Sequence, residues 1–499
     1  MQNLTKSHVH RVSECRPVRR STGRGFLEVC GRAHRWHWQC GGQHWRDTHS
    51  TRWTVDNAEC WSTRSRKSWT RCAGRRAAQI FGISPGNAAG SKASATSTND
   101  YVLRDENVLC SRRGRGANWA MGYSKLVESA SGTGSRCIDG CTLLDQTLES
   151  LRREVERCES FSGFVVTHSL SGGTGSGMGS HLVECLRDEY PLAQQLSVCV
   201  ALLLNGESPM QWYNCTLCLQ HLYSHCDGIL LLENDLLLRQ CQSEQASTAA
   251  HYRPRTAASA SATSCTHATL ADMNRLGAEM MCGLFLPTEN SASGASLGGW
   301  SIGLEPWDLC RTVCPLPSLK LFTVDHCRQS HARSWTAMAD QLAKQHRLTR
   351  YARGSGTTAP AHSRHISDVL SRLSAAQYQT TSLVAVTRGS RRDALVSELG
   401  ALEKNLSKGF RCADWNPSPV DIWTARAAGG SRASTTLTVA CNSASVVHTV
   451  STILNKSERM FASGAFLHWY ERYGCERERL SEAFALLHDV LDEYLTAVT

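Results

Sequence analysis

The chain has 499 residues, of which 41% are hydrophobic and 20% charged, so it has room for two or three domains with sizeable cores. Its apolar runs are shorter than the roughly 18 residues of a membrane-spanning helix, so we expect no transmembrane segment. The N-terminus is basic but has no apolar core, and we expect no secretory signal. The net charge of +10 is uneven, because residues 1–80 hold 16 Lys/Arg and 5 Asp/Glu. The rest of the chain is near neutral, and we expect no nucleic-acid partner.

The chain contains 23 cysteines. Without a secretion signal, they are expected to be reduced thiols of a cytoplasmic protein. We predict neither a disulfide framework nor a metal site built from side chains.

Residues 1–103 do not have the pattern of a folded domain. Tryptophans recur among Arg, Ser, His and Cys without helical or strand periodicity, and residues 85–99 are rich in Pro, Gly, Ala and Ser. Two explanations stay open, a mispredicted or out-of-frame N-terminus and a fast-diverging basic extension. A transcript that encodes these residues in one continuous frame would exclude the first.

Strands and helices alternate after this region, which is typical of an α/β domain. Apolar residues from Leu144 to Cys158 recur at helical spacing, and Gly163–Thr167 has the pattern of a buried strand. An amphipathic run from Leu182 to Tyr190 predicts the next helix, and Leu196–Leu204 and Ile229–Leu232 predict two further strands.

The glycine-rich stretch Ser169–Ser180 lies between the first strand and its helix. Glycines let a ligand approach the backbone closely and let the backbone adopt positive φ. The start of the following helix offers unpaired N–H groups to an anion. The stretch therefore predicts a phosphate cradle. It lacks the lysine of a P-loop, and Gly175-x-Gly177 leads to Ser180 instead of the third glycine of a dinucleotide fingerprint. A dinucleotide-dependent oxidoreductase is therefore a weak alternative.

The segment Gly172-Gly173-Thr174-Gly175-Ser176-Gly177 resembles the nucleotide signature of the tubulin and FtsZ family. That resemblance implies an α/β fold, with a Rossmann-like GTPase domain on a parallel sheet, an α+β intermediate domain and a C-terminal helical hairpin. It covers about residues 104–499. The implied domains are residues 104–287, 288–452 and 453–499, after the divergent residues 1–103.

Five other segments resemble nucleotide-contacting parts of the family. They are Gln39–Gln43, Gly114–Tyr123, Glu207–Pro209 with Trp212–Asn214, Leu231–Asp235 and Asp272–Leu276. On residue type alone, the asparagine after the strand Ile229–Leu232 is more often a helix cap. The resemblance implies a site for GTP or GDP, with Mg²⁺ held mostly through phosphates and water. The implied binding residues are Gln39, Cys40, Asn118, Ser169, Gly172, Gly173, Thr174, Gly175, Ser176, Asn234 and Asn274.

The segment Leu304–Pro317 ends in Val-Cys-Pro-Leu-Pro, which resembles the loop by which one family subunit touches the nucleotide of the next. Asp308 stands where the family places the acid that activates water, and Glu305 precedes it by about one helical turn. Such carboxylates could orient water against a γ-phosphate. Two solvated carboxylates near a helix end are an equal alternative, and Pro306 leaves the local geometry open.

The remaining chain resembles the intermediate domain and the C-terminal hairpin. Strands are predicted at Ser382–Val386 and Leu437–Ala440, and helices at about 454–473 and 476–497. Residues 242–266, 288–299 and 353–365 are expected to be surface insertions or loops.

Several motifs resemble the delta branch of the family, among them Leu231–Asp235 and Met460–Ser463. This implies a cytoplasmic, cytoskeletal protein of the centriole, basal body and cilium. Its partners would be alpha-, beta- or epsilon-type tubulins or a second copy of itself, with hydrolysis completed by a neighbouring subunit. The alternative is a non-hydrolysing structural protein that keeps GTP as a folding ligand.

Overall fold

The structure is a computed structural model of the whole chain. It describes residues 107, 109, 114–124, 142–158, 161–201, 208–251, 268–286, 306–329, 334–351, 379–389, 392–425 and 435–498, and the backbone of residues 34–35 and 56–57. Those last two pairs form an antiparallel ladder between strands β1 (His34–Arg35) and β2 (Asp56–Asn57). The predicted loops at 288–299 and 353–365 lie outside the described residues.

A seven-stranded sheet organises the described part of the chain. Its strands are β3 (Gly163–Ser169), β4 (Gln194–Ala201), β5 (Gly228–Glu233), β6 (Leu321–Gln329), β7 (Thr380–Arg388), β8 (Val420–Ala425) and β9 (Thr435–Ser443). The spatial order is β3-β4-β5-β6-β9-β7-β8. Strands β3 to β6 are parallel, β9 runs antiparallel to both of its neighbours, and β7 and β8 are parallel.

Helices cover both faces of this sheet, so its central strands are buried and need apolar side chains on both sides. The helices are α1 (Trp119–Tyr123), α2 (Leu143–Glu156), α3 (Gly179–Glu189), α4 (Gln211–His225), α5 (Asn234–His251), α6 (Leu270–Phe285), α7 (Pro306–Val313), α8 (Trp335–Tyr351), α9 (Arg392–Phe410), α10 (Val446–Ala462), α11 (Leu467–Glu471) and α12 (Arg477–Val498). Among the described residues, no helix combines the length and apolarity needed to cross a bilayer.

Three apolar clusters fill the interior. The first packs α3, α4, α10 and α12 onto one face of β3–β5, and the second packs α6 and α7 onto the other face. The third lies under α8 and α9, against β7 and β9. The helix predicted at about 476–497 is confirmed as α12, whose apolar stripe is buried: Leu480, Phe484, Leu487, Leu491 and Tyr494.

Several predicted boundaries differ from the structure. Helix α5 continues to His251, so the first part of the predicted insertion at 242–266 is helical, and residues 252–266 lie outside the described residues. Helix α10 begins at Val446 and ends at Ala462, where Phe466 at φ 60° turns the chain into α11. Pro306 is the first residue of α7, a position where its missing N–H costs nothing.

Candidate functional site

The glycine-rich stretch lies at the carboxyl end of β3, where the strand passes into α3. Residues Gly173–Met178 form a π-helical turn instead of the open loop that the sequence suggests. Gly173 and Ser176 are buried in this turn, whereas Gly172, Thr174 and Gly175 are half-exposed. The accessible rim of the glycine loop, residues 172–178, therefore carries only backbone and one hydroxyl.

The glycines of this loop serve close packing and not unusual dihedral angles. Gly172 has φ −90°, and the described glycines at positive φ are Gly116, Gly464 and Gly474, so the expectation of positive φ in the loop is wrong. A Cβ on Gly177 would lie 2.1 Å from the carbonyl oxygen of Trp119. One on Gly173 would lie 2.4 Å from the carbonyl oxygen of Arg115. Two backbone segments thus touch directly, which only glycine permits.

A neutral polar network supports the loop from below. His168 Nε2 lies 2.8 Å from Ser197 Oγ and 3.7 Å from Cys199 Sγ, and all three residues are buried. Burial lowers the pKa of His168 to about 4, so the imidazole is neutral near pH 7. Ser169 Oγ lies 3.1 Å from Ser171 Oγ at the start of the loop. The support under the predicted phosphate cradle therefore adds no negative charge.

Asn214 of α4 joins the glycine loop to α1 and to the C-terminal helices. Its Oδ1 accepts hydrogen bonds from Trp119 N at 2.8 Å and from Tyr470 Oη at 2.6 Å. Its Nδ2 donates to the carbonyl oxygens of Ala117 at 2.8 Å and Ser171 at 2.7 Å. The side chain is fully buried with all four hydrogen bonds made. Asn214 was not among the predicted binding residues, although a carboxamide amid the apolar residues of α4 was a usable signal.

An aromatic cluster fixes α1 over the loop. Trp119 stacks on Tyr123 with ring centroids 4.6 Å apart, and the Arg479 guanidinium carbon of α12 lies 4.4 Å from the Tyr123 ring. The Tyr123 hydroxyl donates to Glu184, and burial raises the pKa of this hydroxyl to about 12. The C-terminal helix therefore packs on the segment that covers the glycine loop.

The predicted binding asparagines do not form a single group. Asn118 lies against Gly173, but its side chain caps α1 and donates to the carbonyl oxygen of Trp469 at 3.0 Å. Asn234 is buried and begins α5, at the same edge of the sheet as the glycine loop. A helix cap is the residue that precedes the first helical residue. Asn234 is itself the first residue of α5, so it does not occupy the cap position. Strand register places residue 234 level with residue 171, two strands away at about 10 Å.

Asn274 lies in the first turns of α6, beside the far half of α5. Gln245 Nε2 of α5 is 3.5 Å from Asp272 Oδ2. At 1.5 Å per helical residue, Gln245 lies about 16 Å along α5 from Asn234. The structure therefore does not bring Asn274 next to Asn234.

Asp308 lies at the opposite end of the parallel strands from the glycine loop. Its helix α7 packs at the amino end of β5, where a Cβ on Gly228 would be 2.6 Å from Cys310 Sγ. Strand β5 has six residues, so the two ends are about 17 Å apart. Asp308 is half-exposed, and Pro315, Leu316 and Pro317 behind it are exposed. The predicted residues Gln39, Cys40 and Glu305 lie outside the described residues.

The family comparison matches this architecture. The tubulin/FtsZ family GTPase domain matches residues 91–242, a span that contains the glycine loop, α1 and the first turns of α5. Residues 91–242 are therefore similar to the GTPase domain of the tubulin/FtsZ family, and the described part of the chain has an α/β fold consistent with that family.

Whole-chain comparisons extend this similarity beyond the GTPase domain. The chain is 25% identical over 414 residues to the tubulin delta chain of Homo sapiens, covering 80% of this chain and 82% of the relative. It is 24% identical to the tubulin beta-2 chain of Emericella nidulans, covering 79% of this chain and 76% of that relative. It is 28% identical to the tubulin beta-1 chain of Colletotrichum gloeosporioides, covering 79% of this chain and 75% of that relative.

Ala117, which precedes Asn118, has the left-handed φ of 50° and is exposed. Because a Cβ costs about 1 kcal/mol in this conformation, we expect Ala117→Gly to raise the free energy of unfolding by about that amount. The same change at Ala401, exposed within helix α9, should instead lower it by about 1 kcal/mol. Urea unfolding of both variants measures the two shifts. A destabilised Ala117→Gly variant would contradict the local geometry.

Proposed function

We propose that this chain is a GTP-binding cytoskeletal subunit that assembles head to tail with tubulin-type subunits. The observation that carries the proposal is the placement of the glycine loop and of Asp308 at opposite ends of the same parallel strands. Asp308 is too far from the chain's own glycine loop to act there. A neighbour stacked along the strand direction would bring its own Asp308 helix to this loop, which is a heterologous contact that can propagate into a filament.

The glycine loop suits a polyphosphate. Its half-exposed rim offers Gly172, Thr174 and Gly175 with no side-chain charge, and α3 begins directly behind it, so the helix dipole favours an anion there. Ser169, Gly173 and Ser176 are buried and shape the turn from behind. In this assignment GTP or GDP is the bound nucleotide, and Mg²⁺ is held mostly by phosphate oxygens and water. Magnesium supplies charge neutralisation at the transferred phosphate when it is bound.

The remaining residues of the site have separate roles in this proposal. Asn234 starts α5 at the carboxyl edge, where an amide can read the sugar or base of a nucleotide. Asn118 would shape the loop instead of contacting the nucleotide, because its side-chain Nδ2 already donates a hydrogen bond to the Trp469 carbonyl oxygen. Asn274 would reach a base only if the first turn of α6 moved towards Asn234. Glu305 and Asp308 of the neighbouring subunit would orient the attacking water.

Within the family, we propose the delta-type role at centrioles, basal bodies and cilia, supported by the delta-chain relative and the delta-like motifs. The proposed partners are alpha-, beta- or epsilon-type tubulins or a second copy. The proposed domains are residues 104–287 for the nucleotide, 288–452 for the intermediate domain and 453–499 for the C-terminal helices. The close tie between the glycine loop and these helices also favours the second candidate, a structural protein that holds GTP without hydrolysing it.

Replacing Asp308 by alanine tests the head-to-tail arrangement. We expect an unchanged nucleotide content of the isolated chain, because Asp308 lies at the far end of the strands. We expect a drop in GTP turnover within assemblies of about 100-fold, typical for loss of a positioned base. Phosphate release in mixtures with purified tubulin measures the effect.

Glu482→Ala is the matched control, since Glu482 is an exposed carboxylate on α12. It should leave turnover unchanged. Wild-type assemblies without any turnover, but with GTP retained, would support the structural protein. Assembly-stimulated turnover that is unaffected in Asp308→Ala would contradict the assigned role of Asp308.

A further inference from the structure

Three potential metal ligands meet inside the second half of the sheet. Asp325 lies on β6, His346 on α8 and Cys441 on β9. Thr323 and Asp325 share one face of β6 because they are two residues apart, and Cys441 pairs directly with Thr323 across the ladder. Helix α8 covers this face and places His346 over it. The cluster therefore depends on the packing of three elements that are distant in sequence.

The donor atoms of this cluster are close together and hidden from solvent. One ligand atom from each of Asp325, His346 and Cys441 lies within 4.8 Å of the others. His346 Nδ1 is 2.7 Å from Asp325 Oδ2, and the Thr323 hydroxyl is 3.5 Å from Cys441 Sγ. His346 and Cys441 are fully buried, and Asp325 is 6% exposed.

The surroundings of this cluster are largely apolar, so a charged carboxylate there is costly. The Phe410 ring lies 4.8 Å from the His346 imidazole, and the apolar core that includes Cys441 also contains Met338, Leu342 and Leu406. Burying a charged carboxylate among such groups is unfavourable unless a cation or strong hydrogen bonds compensate it. A divalent metal would compensate it and would use the thiol as well.

We infer that Asp325, His346 and Cys441 form a structural site for a zinc ion. One oxygen, one nitrogen and one sulfur donor suit Zn²⁺, whose bonds of about 2.0 to 2.3 Å require only small shifts of the three side chains. The fourth ligand would be a water or the Thr323 hydroxyl, which lies 3.5 Å from Cys441 Sγ. On binding, the Cys441 thiol releases its proton to solvent and the thiolate sulfur bonds to zinc.

The site would join β6, α8 and β9, and so stabilise the intermediate domain. Because the ligands are buried, zinc must enter before this core closes, and its release from the folded chain must be slow. Local spacing does not indicate this site, because its three ligands are distant in sequence. Cys215 and Cys218 do have the spacing of metal ligands, but they are free, buried thiols of α4 outside this cluster.

The test is the zinc content of the full chain, expressed and purified without chelators and measured by elemental analysis. We expect close to one zinc per chain, and content near zero in Cys441→Ala and His346→Gln. Cys327→Ala is the matched control, because Cys327 is a buried cysteine of the same core outside the ligand set, and it should retain zinc.

Cobalt substitution tests the same site in the unaltered chain, so a variant that fails to fold does not decide the outcome. Refolding with Co²⁺ should give a thiolate-to-cobalt charge-transfer band and tetrahedral d–d bands. A wild-type chain without zinc that gives no such band on refolding with Co²⁺ would overturn the proposal, and Asp325 and His346 would then be a metal-free buried pair. Full zinc retention in Cys441→Ala would also overturn it. Neither readout depends on GTP.

Discussion

Gly177→Ala is expected to unfold or severely destabilise the chain and to abolish nucleotide retention. The added Cβ would lie 2.1 Å from the Trp119 carbonyl oxygen and 2.9 Å from both Gly122 Cα and Tyr123 N. These atoms belong to the backbone, so neither side can yield by rotating a side chain. Separating α1 from the loop would also strain the hydrogen bond from the Tyr123 hydroxyl to Glu184 of α3. We expect a loss of at least about 3 kcal/mol in the free energy of unfolding.

Gly400→Ala is the matched control for Gly177→Ala. Gly400 lies within α9, and a Cβ there would meet nothing within 4 Å. Alanine should therefore raise the free energy of unfolding by up to about 1 kcal/mol through helix propensity. Urea titrations of the two variants should give shifts of opposite sign. A Gly177→Ala chain as stable as wild type would show that α1 does not pack on the glycine loop as described.

Asn214→Ala is expected to have the second-largest effect. The change removes four hydrogen bonds at a fully buried position and leaves Trp119 N and the carbonyl oxygens of Ala117 and Ser171 without their partner. Each stranded backbone group costs about 1 to 3 kcal/mol, so a total loss of about 3 to 5 kcal/mol is expected. Because Ser171 begins the glycine loop, nucleotide affinity should fall together with stability.

Two further variants separate the role of Asn214 from general effects. Asn405→Ala removes a single exposed hydrogen bond to Asp340 and should cost at most about 0.5 kcal/mol. Tyr470→Phe removes one donor to Asn214 Oδ1 and should cost about 1 kcal/mol. A double-mutant cycle between Asn214 and Tyr470 should show coupling. Additive losses would mean that the C-terminal helices do not hold the loop through this contact.

The sequence predicted the elements whose pattern is local. Apolar runs predicted β3, β4 and β5, helical spacing predicted α2 and α3, and the last helix, α12, was also predicted. Strands β6 and β8 and helices α8 and α9 were not predicted, since mixed polar residues such as those of Leu321–Gln329 obscure the strand pattern. Strand β6 is buried by its pairing with β9 and by helix α8, which one sequence does not reveal.

The glycine loop was predicted from sequence as a phosphate cradle, which stays a prediction, but the backbone role of its glycines differs from the expectation. The spacing of its glycines indicated a ligand cradle with positive φ, whereas the structure uses Gly173 and Gly177 for contact with residues 115–123. The four bonds of Asn214 join residues up to 256 positions apart. The trio Asp325, His346 and Cys441 is likewise assembled only by the fold. Such contacts have no signature in local spacing.

The most direct measurement is the guanine nucleotide content of the purified, folded full-length chain after denaturation. We expect about one GTP or GDP per wild-type chain, a content near zero for Gly177→Ala and the wild-type content for Gly400→Ala. A wild-type chain that is folded by circular dichroism, contains no nucleotide and does not take up added GTP would contradict the central claim that the glycine loop is a nucleotide site.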